Sequence, residues 1–378
     1  MLYCEKCGLR PVPVTDLPVL LPEDVEFRPG GDSPLSYHEE FLNTTCPDCG
    51  GKARRETDTM DTFMCSSWYF LRYCSPQYLK SAFDPERVKQ WMPVDIYTGG
   101  AEHAVMHLFY ARFFVKALRD MGLLPFDEPF LRLFNQGTIT HEHSKMSKSR
   151  GNVINPDDYV KSMGADTVRA YLMFIGPWEQ GGDWDDSGIS GLSRFLNRVW
   201  ALALEPYASK TTDEAMARDL KRITHQTVKK VTGDLEKLRF NTMLAALMEF
   251  SNYLTRVKDT GVVDRQDWEE ALKALLLILA PTAPHVTEEL WNRLGLSYSI
   301  HNQIWPKWDE ELARDEQIPL LIQVNGKLRD KLMVVPGISE EEALKTALAS
   351  CKVQAHLAGK TVAQCIYVPG RLINLVVK

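Results

Sequence analysis

Ser144-Lys145-Met146-Ser147-Lys148-Ser149-Arg150-Gly151-Asn152 places three cations and three hydroxyls within nine residues. A polyanion such as a triphosphate needs mobile point charges and hydroxyl donors that follow charge as it builds on the transferring phosphates. Lysine, a compact charge on a flexible stem, meets that need. The spacing is not Gly-x-x-x-x-Gly-Lys-Ser/Thr, so this is not a P-loop. Taken alone, the string also fits an ordinary solvated turn, and its neighbours have to decide between the two.

Upstream, Val94-Asp95-Ile96-Tyr97-Thr98 reads as a short buried strand broken by Gly99-Gly100, with a helix expected over residues 102–121. Strand, glycine turn and helix is the grammar of an open α/β sheet. Downstream, Asn155 can cap a helix that has Pro156 at its first position and Asp157 and Asp158 in its first turn, and Gly164 can end it. From Thr212 the period is helical throughout. Met216, Leu220 and Ile223 share one face; Phe240, Leu244, Leu247 and Met248 share another; Trp268, Leu272, Leu275, Leu276 and Leu279 a third. A further helix from about Val286 is expected to stop at Gly295. Antiparallel amphipathic helices joined by short turns make a bundle. The tail changes period again: residues 320–324 and 327–335 flank Asn325-Gly326 as a hairpin with a type I′ turn. Ser339 with Glu342 forms a capping box, and residues 366–377, broken at Pro369-Gly370, read as a second hairpin.

Residues 1–56 are rich in Pro, Gly and Cys, with short extended pieces such as residues 17–21. Cys4-x-x-Cys7-Gly8 and Cys46-x-x-Cys49-Gly50 form two matched knuckles. Zinc takes four soft ligands in a tetrahedron, and Cys-x-x-Cys supplies two from one tight turn. The glycine after each pair permits the positive φ such turns require. The 38 residues between the pairs exceed the usual ribbon spacing. Reduced thiol pairs and a redox Cys-x-x-Cys are the alternatives, although a redox pair would sit beside a βαβ unit. Four thiolates leave no open position, so a zinc held here is structural.

The formal net charge of −6 means the whole molecule is no electrostatic footprint for nucleic acid. Any RNA contact has to use local patches such as Lys221, Arg222, Lys229, Lys230 and Lys237, which could equally be a solvated face. The longest apolar run, residues 274–284, is too short for a bilayer and contains two prolines. The first nine residues hold two cysteines and charges where a signal peptide has an apolar core. A cytoplasmic protein without a membrane partner is expected.

Lys145 to Ser149 is the KMSKS signature of class I aminoacyl-tRNA synthetases, and the surroundings resemble the leucyl enzymes among them. The stretch Thr57-Asp58-Thr59-Met60-Asp61-Thr62-Phe63, then Ser66-Ser67-Trp68-Tyr69-Phe70-Leu71-Arg72-Tyr73, is similar to the lead into the second half of that family's catalytic domain. Thr98-Gly99-Gly100-Ala101-Glu102-His103 with His107 resembles its adenylate-side segment, and Asn135-Gln136-Gly137 the strand end before the lysine loop. The resemblance continues through Gly164-Ala165-Asp166-Thr167-Val168-Arg169, Leu238-Arg239-Phe240-Asn241-Thr242, Ala280-Pro281-Thr282-Ala283-Pro284-His285 and Val324-Asn325-Gly326-Lys327.

The resemblance implies a multidomain chain. It would comprise a zinc ribbon (1–56), the C-terminal half of a class I Rossmann-like α/β catalytic domain with the KMSKS loop (57–205), an α-helical anticodon-binding bundle (206–312) and a small α+β tRNA-binding domain (313–378). By analogy Lys145 and Lys148 stabilise the phosphates of ATP, bound with magnesium as substrate, during leucyl-adenylate formation. Met146, Ser147 and Ser149 would assist from the same loop. Gly99 and Gly100 would admit the nucleotide to the backbone at a strand end. Glu102 and His103 would meet the ribose side, with His107 beside them, and Gln136 the base side. His103 and His107, four apart, also raise a metal pair, but the pattern lacks the internal Glu of His-Glu-x-x-His and a third ligand. Buried or substrate-facing histidines are the preferred reading. The first class I signature, His-x-Gly-His, occurs nowhere in the sequence, and the family's editing domain lies upstream of it. Activity is therefore expected to need a partner half alongside leucine, ATP and tRNA(Leu). The alternative is a tRNA-binding zinc-ribbon module that has lost catalysis.

Overall fold

Short antiparallel ladders hold the cysteine pairs. In the computed structural model, which describes residues 1–28, 30–59, 63–315 and 318–378, β1 (Leu2–Cys4), β2 (Gly8–Arg10), β3 (Asn43–Thr45) and β4 (Lys52–Arg55) make a sheet of order β2-β1-β4-β3. Each Cys-x-x-Cys turn is closed by a glycine in the left-handed region, Gly8 at φ +73° and Gly50 at φ +67°. Helix α1 (Glu39–Leu42) precedes β3. Residues 17–21, expected as an extended piece, join no ladder. Prolines at 13, 18 and 22 remove donors that a ladder would need.

Beyond the ribbon come α2 (Phe63–Ser66), α3 (Tyr69–Tyr73), α4 (Pro85–Trp91), β5 (Tyr97–Gly100), α5 (His107–Asp120) and β6 (Leu133–Gln136). Met60, Asp61 and Thr62 of the resemblance lie outside the described residues. Phe70, Leu71, Phe83, Val88, Ala111, Val115 and Leu124 form the core of this part. Two expectations need correction. The strand begins at Tyr97 and runs through both glycines rather than ending before them, while Val94 makes only an isolated bridge to Phe130. The sheet here is just β5 beside β6, so it does not bury the earlier residues, and Ile96 stays exposed. The helix over 102–121 is also broken. Residues Ala101–Val105 form a 3-10 turn, Met106 leaves helical space at φ −110°, ψ −104°, and α5 starts at His107. All of residues 101–106 are exposed, so no packing drives that turn into the α-helix.

The chain divides into two compact units, Met1–Asn135 and Gln136–Lys378. In the second, β7 (Thr138–His141) pairs antiparallel with β8 (Ser144–Lys145) and parallel with β9 (Gly181–Trp184). Helix α6 (Pro156–Met163) is capped by Asn155 and followed by Gly164, as its sequence dictates. Then come α7 (Ala165–Phe174), α8 (Asp186–Leu204), α9 (Glu214–Glu236), α10 (Phe240–Thr260), α11 (Arg265–Leu279) and α12 (Pro284–Arg293). One hydrophobic core extends from Val168 to Ile300, so α7 and α8 pack with the bundle helices. Asp166 and Arg169 on α7 hold the turn between α11 and α12. The Asp166 carboxylate accepts from the backbone N–H of Val286 and bonds His285, both at 2.7 Å, while Arg169 donates to the carbonyls of Pro281 and Thr282.

The last sixty residues form a separate core of β10 (Ile318–Val324), β11 (Lys327–Val334), α13 (Glu340–Ala349), α14 (Cys351–Leu357), β12 (Val362–Val368) and β13 (Leu372–Val377). Their sheet order is β11-β10-β13-β12, with β10 and β13 parallel at the centre. Asn325 and Gly326, at φ +49° and +75°, make the expected hairpin turn, and the Ser339–Glu342 capping box is present. The sequence reading missed α14, a second short helix capped by Ser350.

Candidate nucleotide and metal sites

The lysine loop grows out of a two-residue hairpin. Glu142 and His143 both adopt the left-handed backbone, at φ +50° and +58°, as a type I′ turn demands. Lys145 ends β8, and Lys148–Arg150 form a single 3-10 turn closed by Gly151 at φ +68°. Asn152 ties the two ends of the loop: its Oδ1 accepts from Ser147 N at 2.8 Å and its Nδ2 donates to the Lys145 carbonyl at 3.3 Å. The hydroxyls of Ser147 and Ser149 bond each other at 2.8 Å. Met146, grouped with the nucleotide-binding residues by resemblance, packs against the core of this unit and pins the loop from below. The side chains of Lys145 and Lys148 are exposed and have no ion-pair partner among the described residues. The loop thus offers two uncommitted ammonium groups on a fixed base.

That base is built by close backbone approach. A Cβ on Gly137 would lie 2.0 Å from the backbone nitrogen of Gly181, and one on Gly181 only 2.2 Å from the Thr138 carbonyl. Only glycine lets β9 lie this tightly on β7. Gly137 N–H also donates to the Trp178 carbonyl at 2.7 Å, and the Trp178 ring packs on Phe240 at the start of α10.

In the first unit, Gly99 and Gly100 end β5. A Cβ on Gly99 would meet nothing within 4 Å, and its φ is not positive, so nothing in the protein itself demands glycine there. At Gly100 the atoms nearest to a Cβ would be those of the Glu102 carboxyl, the far end of a flexible side chain. Glu102 and His103 are exposed. The break at Met106 removes the common helical face expected for His103 and His107, although their rings remain 6.4 Å apart, nearly perpendicular. Tyr97 stacks on Phe130 at 3.8 Å, and its hydroxyl bonds both Tyr69 and His107 Nε2 at 2.7 Å. Burial holds His107 below the usual histidine range, so the ring is neutral at pH 7, and it pushes the Tyr97 phenol up. His107 Nδ1 is buried without a hydrogen-bond partner among the described residues. Among the described residues no third ligand joins the two histidines in a metal-type cluster there. Gln136 ends β6 and is exposed.

The four cysteines do come together. Their sulfurs all lie within 4.8 Å of one another, with Cys4 and Cys49 at 3.6 Å. A zinc tetrahedron with bonds of about 2.3 Å needs S···S near 3.8 Å, so the donor set and its size both fit the ion. Backbone N–H groups of Cys7 and Lys6 hold the Cys4 thiol below its usual range, while the neighbouring Cys49 sulfur and burial push the Cys7 thiol up to about 12, so without an ion the four sulfurs do not all ionise together. Cys4 and Cys46 are buried, whereas Cys49 is exposed.

Four of the five bundle cations singled out in the sequence are committed to ion pairs. Lys221 pairs with Asp267, Lys229 with Glu310, Lys230 with Asp234, and Arg222 with Asp219 and Asp315. Of the five singled out in the sequence, Lys237 alone keeps no internal ion pair among the described residues.

Sequence families frame these sites. The family of "tRNA synthetases class I (I, L, M and V)" matches residues 35–184, and the "anticodon-binding domain of tRNA ligase" matches residues 217–344. A leucine–tRNA ligase of Dehalococcoides mccartyi is 66% identical over all 378 residues. Those of Rubrobacter xylanophilus and Deinococcus radiodurans are 56% and 50% identical over the same span. The chain belongs to the leucyl-tRNA synthetase family. It covers 46% of each of these relatives, about half their length, and corresponds to their C-terminal part. Among solved structures, the ternary complex of the AgnB2 leucyl-tRNA synthetase of Agrobacterium radiobacter K84 with tRNA and LeuAMS superposes with a TM-score of 0.86 at 38% identity. It takes in 100% of this chain and 50% of that one. The sequence reading overlooked Asp183, which accepts from the Thr140 hydroxyl at 2.6 Å, and the glycines at 176, 181 and 182, which allow the close backbone approach around β9. Their signal was present in Gly181-Gly182-Asp183-Trp184, where an acid alternates with an aromatic on a glycine-softened strand. None of the described helices is long and apolar enough to cross a membrane.

Proposed function

We propose that this chain supplies the ATP-handling lysine loop and the tRNA-binding helices of a leucyl-tRNA synthetase. In that reaction the carboxylate of leucine attacks the α-phosphorus of ATP and pyrophosphate leaves. A terminal ribose hydroxyl of tRNA(Leu) then attacks the leucyl carbonyl and AMP leaves. The observation that carries the reading is a loop with two unpaired lysines on a base fixed by Asn152, Met146 and the glycine crossing. Lys148 and Lys145 follow charge onto the departing pyrophosphate, while magnesium bound with ATP shares that load. Ser147 and Ser149 add hydroxyl donors. Gly99, open where a side chain would otherwise stand, and Gly100 admit the adenylate to the backbone, with Glu102, His103 and Gln136 around it. His107, neutral and hydrogen-bonded through Nε2 to the Tyr97 hydroxyl, backs the same segment.

Zinc bound by Cys4, Cys7, Cys46 and Cys49 organises the first 56 residues and takes no part in the chemistry. The reading also keeps the catalytic half over 57–205, the tRNA-binding bundle over 206–312 and the terminal tRNA-binding domain over 313–378, working in the cytoplasm. A second half carrying the first class I signature completes the site. Support comes from α5, where Phe109 and Phe113 lie one helical turn apart at 61% and 66% exposure. An apolar face of this kind marks a surface that a partner covers.

Leucine-dependent ATP–pyrophosphate exchange tests the proposal, first with this chain alone and then mixed with a matching upstream half. Exchange is expected only in the mixture and lost on Lys148→Ala, by about a hundredfold or more. No exchange in a mixture shown to assemble overturns the catalytic reading and leaves a tRNA-binding module.

A further inference from the structure

We propose that Asp183 is a positioning residue for the lysine loop, fixing Lys145 through Thr140 across three adjacent strands. The inference rests on the reading that this loop handles ATP. In the ladder Asp183 is the partner of Thr140, and Thr140 is the partner of Lys145. Directly paired residues put their side chains on the same face of a sheet, so the three lie in one row, about 4.8 Å from strand to strand. The Asp183 Oδ1 accepts from the Thr140 hydroxyl at 2.6 Å and from the backbone N–H of His143 at 2.9 Å. His143 is the second residue of the left-handed turn, and a non-glycine residue there is strained unless something holds it. One carboxylate therefore fastens both the strand opposite Lys145 and the turn that leads into it.

Its neighbours show that this job is separate from the fold. Trp184, on the opposite face of β9, is buried and packs on Tyr159 and Tyr171. Asp185 caps α8, and Asp186 accepts from the Trp184 indole. These groups anchor the strand in the core. Asp183 faces the other way, half-buried, and among the described residues its oxygens go to Thr140 and His143 of the hairpin alone. Gly137 and Gly181 bring β9 against β7 closely enough for a short side chain to reach both donors.

The experiment uses the assembled enzyme, this chain with the upstream half, and compares Asp183→Ala, Asp183→Asn and Thr140→Val. Asn keeps a carbonyl oxygen that accepts from both donors, while Ala removes it. Asp183→Ala is expected to lower kcat of pyrophosphate exchange about tenfold or more, since misplacing a catalytic group by an ångström has that scale of effect. KM for leucine should stay within about twofold, as should transfer of leucine from preformed leucyl-adenylate to tRNA. Asp183→Asn should retain exchange to within about threefold, and Thr140→Val should fall between the two. Exchange unchanged in Asp183→Ala overturns the proposal. So does an Asn variant as impaired as Ala, or an equal fall in exchange and transfer. If Asp183→Ala does not fold, Thr140→Val decides: a loss confined to exchange supports the role and no loss overturns it. Lys148→Ala in the same assay separates the two readings. Without effect, it sinks the assignment of the loop; with the expected loss, failure at Asp183 sinks only the positioning role.

Discussion

Helices α10 and α5 carry similar alternations of apolar residues, yet one is finished and the other is not. Helix α10 buries Met243, Leu244, Leu247, Phe250, Leu254 and Val257 in a core shared with its neighbours. Helix α5 buries Leu108, Ala111 and Val115 on one side and leaves Phe109 and Phe113 in solvent on another. The bundle therefore contains its own partners, whereas the α/β piece of the first unit keeps a second apolar face unsatisfied. Periodicity in sequence says that a face will be buried. It does not say whether the covering surface lies in the same chain.

The comparison can be broken in order of effect. The largest is expected in the ribbon, where the small cluster of Cys4, Cys46, Cys7 and Ala53 has only Leu2, Leu35 and Leu42 as further buried apolar side chains among the described residues, so that its fold depends on the metal. Cys46→Ser should reduce bound zinc from about one per chain to none and unfold residues 1–56. Structural zinc is worth about 10–16 kcal/mol to a small domain, and metal analysis with amide exchange checks both parts. Zinc absent from the unsubstituted chain would contradict the ribbon assignment.

Next, paired truncations contrast the two helices. Phe250→Ala removes a fully buried ring and should destabilise the bundle by about 3–5 kcal/mol in urea unfolding. Phe113→Ser, on an exposed ring, should change the stability of the chain by about 0.5 kcal/mol or less, yet prevent pyrophosphate exchange with the upstream half. If Phe113→Ser assembles and exchanges normally, that face is not the one a partner covers.

The smallest effect concerns pH. Arg112, with Lys116, holds the Glu128 carboxyl down to about 2, from an ordinary 4.5. Its folded value is depressed, so the stabilisation is complete above about 4.5 and disappears as pH falls toward about 2. The pair is partly exposed, which limits it to about 0.5–1 kcal/mol. The melting temperature of Glu128→Gln should lie slightly below that of the parent at pH 6, and the gap should narrow from pH 5 to pH 3.

Much of the second unit was legible because its signals are local. Asn155-Pro156, Asn325-Gly326 and the Ser339–Glu342 box each specify their element within a few residues, and each is formed as expected. The lysine string gave the loop, but not what fixes it. Asp183 reaches Thr140 across 43 residues of sequence, and Asp166 reaches His285 across 119, distances at which no local pattern operates. That second contact shows why two of the family-like motifs stand so far apart: they are halves of one packed corner. The break at Met106 was illegible for a related reason. Apolar spacing over 102–121 is helical, but residues 101–106 pack against nothing that would hold the first turn. The basic stretch of α9 was legible as charge but not as pairing, since Lys221, Arg222 and Lys229 meet acids distant in sequence.

Amide hydrogen exchange along α5 and α10, with and without the upstream half, tests the central contrast most directly. Protection of α10 should be high and the same in both samples, while α5 should gain at least about tenfold in protection on mixing. Equal protection of α5 in the chain alone and in the assembled mixture would contradict the account.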